Sequence, residues 1–167
     1  MAKPEHILIS LAPRHAKNIF DGIKHIELRR RPMNIEPGTI VWIYVTLPVG
    51  VLMGRAKIAA LHTAAPDSLW RRFGAVSGLA KNEFLGYLNG LAQGVVLVLE
   101  DVKTLREPLS LEALRHIAEG FNPPQFFIRI DDEHPLFSSL TAPANTLFRR
   151  KGLAGIDASN SAKTRQG

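Results

Sequence analysis

A chain of 167 residues, 46% of them hydrophobic, is long enough to bury one core without metal or disulfide staples, and a single domain is its simplest organisation. It has no cysteine, which excludes structural disulfides and thiolate metal sites and fits a reducing, cytoplasmic setting, and its first apolar run is too short for a signal peptide or a membrane span. Lys and Arg total 21 against 15 acidic residues, and the net charge of +6 favours a polyanionic partner.

His6 to Ala12 is almost wholly apolar and branched, the pattern of a strand buried on both faces. Pro13 to Asp21 follows as a short helix, with Pro in its first turn and Gly22 where a helix stops in a left-handed conformation. Lys24 to Arg29 alternates, which predicts a short strand with Lys24, Ile26 and Leu28 on one face and His25, Glu27 and Arg29 on the other. Arg30 and Arg31 extend its basic end before Pro32 and the Glu36-Pro37-Gly38 turn stop it. Thr39 to Leu47 is β-branched and aromatic, the strongest strand signal in the chain, and Pro48-Val49-Gly50 turns it. Val51 to Leu61 is the next strand, with Gly54 marking a bulge or the close approach of another backbone.

Pro66-Asp67-Ser68 opens a helix carrying Leu69, Trp70 and Phe73, and a second helix runs from about Ala80 to Asn89. Val95 to Leu99 is an apolar strand continued by Glu100 to Lys103, and Ser110 caps a further helix. Pro123-Pro124-Gln125 imposes extended backbone before a last strand, Phe126 to Ile130, and His134 to Leu140 is a final helix. We therefore expect one domain over residues 1–140 and a basic extension over 141–167, disordered from 154 onward. Consecutive strands with short helices between them predict an α+β fold, a small mixed β-barrel of five or six strands, rather than alternating βαβ units.

The candidate site residues centre on the Gly22 to Arg31 stretch. Glu27 and Arg29 either form an ion pair tying the strand to a helix or share a ligand. In the second case Arg29 offers a planar fork to a phosphate or base edge, and Glu27 accepts from an amine or ribose hydroxyl. Lys24 is either a snorkelling surface lysine or a third member of that set. Arg30 and Arg31 point apart and either contact backbone phosphates, rather than sharing one pocket, or belong to a solvated loop. Tyr44, Arg55 and Lys57 are candidates for stacking and charge, with core packing the alternative for Tyr44 beside Trp42. Glu83 and Tyr87, one helical turn apart, either border the cleft or pack on the helix surface, and the second reading is preferred. The six histidines show no ligand spacing and no Gly-rich phosphate loop occurs, so neither metal nor cofactor is expected.

Gly22 to Arg29 fits the pattern Gly-x-Lys-x-x-Glu-x-Arg. With the Ile9-Ser10-Leu11 entry to Pro13, the Tyr44 to Gly54 strand pair, the Lys81 to Gly90 run and Pro123-Pro124-Gln125, the chain over residues 6 to 130 resembles a regulator-like subgroup of the ASCH family, a branch of the PUA-like β-barrel superfamily. The resemblance implies a PUA-like barrel with a cleft beside the motif, in which the lysine and glutamate line one cavity. Strict strand alternation would separate them unless the chain bulges near Gly22. It also implies binding of RNA or a modified nucleotide, with DNA as the alternative polyanion and no membrane partner.

Some members of the family are hydrolases. One type removes the acetyl group of N4-acetylcytidine with Lys, Thr and Glu. Lys24 matches that lysine, but Glu27 stands in the place of the threonine and Ala75 to Gly78 offers no carboxylate, so the activity is not carried over. A ribonuclease would draw on Glu27, on a histidine such as His25, and on Lys24 or Arg29. The expectation is therefore a nucleotide-binding module, with a hydrolase in the same cleft as its alternative.

Overall fold

The computed structural model describes residues 2–150. Six strands form one mixed sheet: β1 (His6–Leu11), β2 (Ile26–Arg29), β3 (Ile40–Val45), β4 (Val51–Ala64), β5 (Gly94–Ser110) and β6 (Ile128–Arg129), in the order β2-β5-β4-β3-β1-β6. Only β1 and β3 pair in parallel; every other neighbour is antiparallel. The helices α1 (Pro13–Phe20), α2 (Pro66–Phe73), α3 (Lys81–Tyr87), α4 (Leu111–Ile117), α5 (Phe137–Leu140) and α6 (Ala144–Leu147) are short insertions around it. None is long and apolar enough to cross a membrane.

The sheet curls because its two longest strands bend. The β4–β5 ladder changes register at Leu52/Gly54, Arg55/Lys57 and Ile58/Ala60, and each irregularity adds local twist. Gly54 is indispensable to the first, since a Cβ there would lie 2.2 Å from the Lys103 carbonyl oxygen and 2.8 Å from the Phe20 ring. The close backbone approach expected at this glycine is what the structure shows.

Curling creates an interior and two covered outer faces. Ile7, Ile9, Val41, Ile43, Ala56, Ile58, Val95 and Leu97 fill the half-closed barrel, plugged by Ala16 and Ile19 of α1. Across the sheet, Leu8, Trp42, Tyr44 and Leu52 pack under Leu114 of α4, Leu136, Leu140 and Phe148. At the far end Ile26, Leu28 and Val96 pack under Leu69 of α2 and Phe84 and Leu88 of α3. Side chains alternate between the two faces except across the bulges, so that Leu52 lies on the α4 side although Ala56 and Ile58, of the same parity, lie in the barrel.

Several element boundaries differ from expectation: β4 runs to Ala64 rather than Leu61, and the helix expected from His134 begins at Phe137. The strand expected from Lys24 begins only at Ile26, because the N–H groups of Ile23 and Lys24 both donate to the Asn18 carbonyl at the end of α1. β5 runs 17 residues instead of ending near Lys103, passing through Asp101 at φ 50. The strand expected over Phe126 to Ile130 shrinks to two residues, since the chain bends at Gln125 and Phe126. Residues 141–150, assigned from the sequence to the extension, pack against the sheet through α6 and the Leu105–Phe148 bridge. The disorder expected from 154 onward falls outside the described residues.

Candidate functional site

A cleft of about 180 Å³ opens where α1, the 22–25 turn, the free edge of β2 and α3 meet. His15 enters from α1, Lys24 from the turn, Glu27 and Leu28 from β2, Leu79 from the loop before α3, and Glu83 and Tyr87 from α3 itself. The loop after α2 holds the lysine. Lys24 Nζ donates to the Ser77 carbonyl at 2.7 Å, and its stem packs over Gly78, whose φ of +68 and missing Cβ leave room for it. Lys24 is only 3% exposed, so it does not snorkel.

Lys24 and Glu27 converge, contrary to strict alternation, because Lys24 precedes the strand and is oriented by the Asn18 carbonyl instead. Lys24 Nζ stands 3.9 Å from Glu27 Oε2, an oxygen that is buried and accepts no hydrogen bond. At an effective dielectric near 20 that attraction is about 4 kcal/mol. Desolvation costs several kcal/mol for each ion, so the pair does not stabilise the fold on its own account. Burial lowers the Lys24 pKa, opposed by the Glu27 charge.

Arg29 follows Glu27 on the same strand face but makes no ion pair with it. Its Nη1 reaches the Phe126 carbonyl at 3.4 Å, while Nε and Nη2 are buried without a partner. It therefore sits at the seam between the β2 edge and the approach to β6, beside the cleft rather than among its lining residues. The ion pair considered from the sequence, Glu27 with Arg29, is replaced by Lys24 with Glu27. Arg30 donates to the Tyr87 and Asn89 carbonyls at 2.6 and 3.2 Å, pinning the C-terminal end of α3, and Arg31 lies 4.5 Å over the Phe126 ring. Both remain exposed at the outer rim.

The other sequence candidates lie elsewhere. Tyr44 is 1% exposed in the core under α4, its hydroxyl buried and unpaired. Arg55, on the same side of the sheet, is held over the Trp42 ring at 5.4 Å and the Phe148 ring at 4.7 Å. Lys57 borders a separate depression with Glu5, Glu36 and Asp101. Their strand positions share the parity of Trp42, and that parity faces away from the barrel interior and from the cleft.

The structure also brings in three further residues. Glu83 and Tyr87 line the cleft, the less favoured of their two readings, and their one-turn spacing is the signal for it. Glu83 also accepts from Ala80 N–H and Arg14; the hydrogen bond from Arg14 is the main reason its pKa falls to about 2. Burial raises the Tyr87 pKa. His15 is the histidine at the cleft; His25, named for the ribonuclease alternative, is exposed outside it. His15 Nδ1 is buried without a partner, and burial, then the Lys24 charge, lowers its pKa.

No family model matches the chain. It is 34% identical over 118 residues, 71% of this chain and 79% of the relative, to the ASCH domain-containing ribonuclease of Zymomonas mobilis. It is 27% identical over 107 residues, 64% of this chain, to the large ribosomal subunit protein uL22 of Ureaplasma parvum, of which it spans 34%. The crystal structure of ASCH from Zymomonas mobilis matches with a TM-score of 0.73 and 32% identity, covering 77% of this chain and 89% of that one. A single-residue variant of the same protein matches at 0.72 and 31%, covering 76% and 91%. With a third of its residues identical across most of both chains, and a fold shared to that degree, the chain belongs to the ASCH domain family.

Proposed function

We propose that the cleft beside β2 binds a nucleotide of single-stranded RNA, plain or modified. The observation that carries the proposal is the buried Lys24–Glu27 pair, whose inner carboxylate oxygen has no hydrogen bond. Native folds rarely leave buried charge in that condition without a functional reason. A cavity of about 180 Å³ has the volume of about six water molecules, at about 30 Å³ each. That space takes part of one nucleotide, a base or a ribose phosphate, and excludes a duplex. The +6 net charge and the exposed Arg30 and Arg31 supply long-range attraction for the flanking phosphates. The ribonuclease name of the Zymomonas mobilis relative supports RNA over other polyanions.

The test is fluorescence anisotropy with labelled single-stranded RNA and DNA of one sequence, for the natural protein and Glu27→Leu. RNA should bind more tightly than DNA, lose affinity as salt rises, and bind Glu27→Leu at least tenfold more weakly. Equal affinity of the two proteins at every salt concentration would place binding outside the cleft. A second proposal is cleavage of the bound RNA in the same cleft; the observation in its favour is His15 on the cleft wall.

A further inference from the structure

We propose that His15 is the proton acceptor of an RNA-cleaving reaction in which the 2′-hydroxyl of the bound nucleotide attacks its own 3′-phosphate. The inference rests on the cleft being the RNA site and goes beyond it by naming a reaction and the residues that move protons.

Such a reaction needs three things from the protein: an uncharged base within reach of the 2′-hydroxyl, positive charge near the phosphate, and a proton for the departing 5′-oxygen. His15 and Lys24 stand on walls of one cavity of about 180 Å³, too small to hold a ribose phosphate far from either. His15 Nδ1 is buried without a partner, and the ring lines the cavity. Arg14 and Lys24 disfavour its protonation, Glu27 and Glu83 favour it, and desolvation outweighs them all, so the ring is neutral at pH 7. Tyr87 completes the wall facing it from α3.

The steps balance without a co-reactant. His15 removes the 2′-hydroxyl proton as the O2′–P bond forms, and the Lys24 ammonium stabilises the charge on the phosphoryl oxygens. The P–O5′ bond breaks, and Lys24 gives its proton to O5′. The products are a 2′,3′-cyclic phosphate and a 5′-hydroxyl end, and water returns the imidazolium and the amine to their starting states. Glu27, 3.9 Å from Lys24 Nζ, keeps the lysine charged until it is needed and is a positioning residue.

The experiment measures RNA binding by anisotropy and cleavage by end-group analysis on one preparation, with RNA, 2′-O-methyl RNA and DNA as probes. We expect RNA to yield 2′,3′-cyclic phosphate ends, while 2′-O-methyl RNA binds and stays intact. The rate should follow a bell in pH, with the acid limb below the ordinary histidine value and the alkaline limb below the ordinary lysine value. His15→Gln should lose at least a hundredfold in cleavage rate while its RNA affinity changes only a few-fold, and its acid limb should vanish. Circular dichroism and the melting temperature establish that this variant is folded. RNA that binds without cleavage, or cleavage that His15→Gln leaves intact, overturns the inference and leaves the binding proposal standing. Failure of RNA to bind at all overturns both.

Discussion

The two sides of the sheet treat buried polar groups in opposite ways. Under α4, Trp42 Nε1 donates to His6 Nδ1 at 3.0 Å, and the Arg55 guanidinium lies over the rings of Trp42 and Phe148. Two hydroxyls on this side, those of Ser10 and Tyr44, are buried without a partner, and neither carries charge. Beside β2, Lys24, Glu27, Arg29 and His15 crowd one edge, and each but Lys24 carries at least one buried atom without a hydrogen bond. Unpaired buried groups cost stability, about 1–3 kcal/mol each and more when charged. The first side is explained by packing, and the second carries the proposal that the cleft binds RNA.

The division predicts that stability and RNA binding fail separately. The largest effect on stability is expected from Trp42→Ala. Trp42 is fully buried, stacked on His6 and Phe148 at ring distances of 6.3 and 6.1 Å, and a cavity of that size costs about 3–5 kcal/mol. Urea denaturation should show the midpoint falling accordingly, while the fraction still folded binds RNA as before. Loss of RNA affinity in that folded fraction would join the two sides into one site.

Acid comes next. Burial, then Arg55, lowers the His6 pKa, and burial, then Lys24, lowers that of His15. As pH falls through about 6.5 the unfolded chain takes up these protons first. The native state therefore loses stability in the interval between the ordinary histidine value and the depressed native ones, and loses no more from these groups below it. The slope has a ceiling of about 1.4 kcal/mol per pH unit for each histidine. His6 supplies most of it, since protonating Nδ1 also breaks the bond from Trp42, while His15 retains solvent contact. His6→Asn keeps an acceptor for Trp42 without titrating, and denaturation between pH 7 and pH 5 should show a flatter acid response in that variant.

Lys24→Met combined with Glu27→Leu should have a small effect on stability and a large one on binding. The apolar replacements remove both buried charges and their desolvation penalties, together with the 2.7 Å bond to the Ser77 carbonyl, and leave neither ion unpaired. These oppose one another, and we expect a net change within about 1 kcal/mol by urea denaturation. RNA affinity should fall at least tenfold by anisotropy. A variant that unfolds instead would make the Lys24–Glu27 pair structural and the comparison false.

How far this division was legible in the sequence depends on the property asked for. Strand parity was readable only in part: alternation puts Ala56 and Ile58 on one face, but Ile40 to Val45 is apolar throughout and the bulge between Leu52 and Gly54 moves Leu52 to the other face. Parity does not say which face meets a cleft, and so Tyr44, Arg55 and Lys57 were grouped with a site on the other side of the sheet. Lys24 was misplaced for a related reason: alternation assumes a strand, and the Asn18 carbonyl, out of sight in a local pattern, holds the backbone in a turn there. His15 and Glu83 lie 68 residues apart in sequence and meet only because α1 and α3 pack against the same edge. Chemistry-bearing types are visible one residue at a time, but their convergence is a property of the fold.

The mouth of the cleft offers the smallest effect, and one of defined sign. Arg14 of α1 grips Glu83 of α3, with Nη2 donating to Oε1 at 3.0 Å, and both side chains are open to solvent. Exposed pairs of this kind add little to stability, so neither Arg14→Ala nor Glu83→Gln should move the melting temperature measurably. Binding is different, because the pair sets the charge that an incoming phosphate meets. Arg14→Ala removes a cation and leaves the Glu83 carboxylate unneutralised, and both changes repel RNA. Glu83→Gln removes the anion and frees Arg14, and both changes attract it. Anisotropy at two salt concentrations should therefore show affinity falling a few-fold in the first variant and rising a few-fold in the second, with the gap between them closing as salt rises. The two substitutions act on one ion pair whose loss alone would give shifts of the same sign. Opposite signs can come only from the field at the cleft mouth.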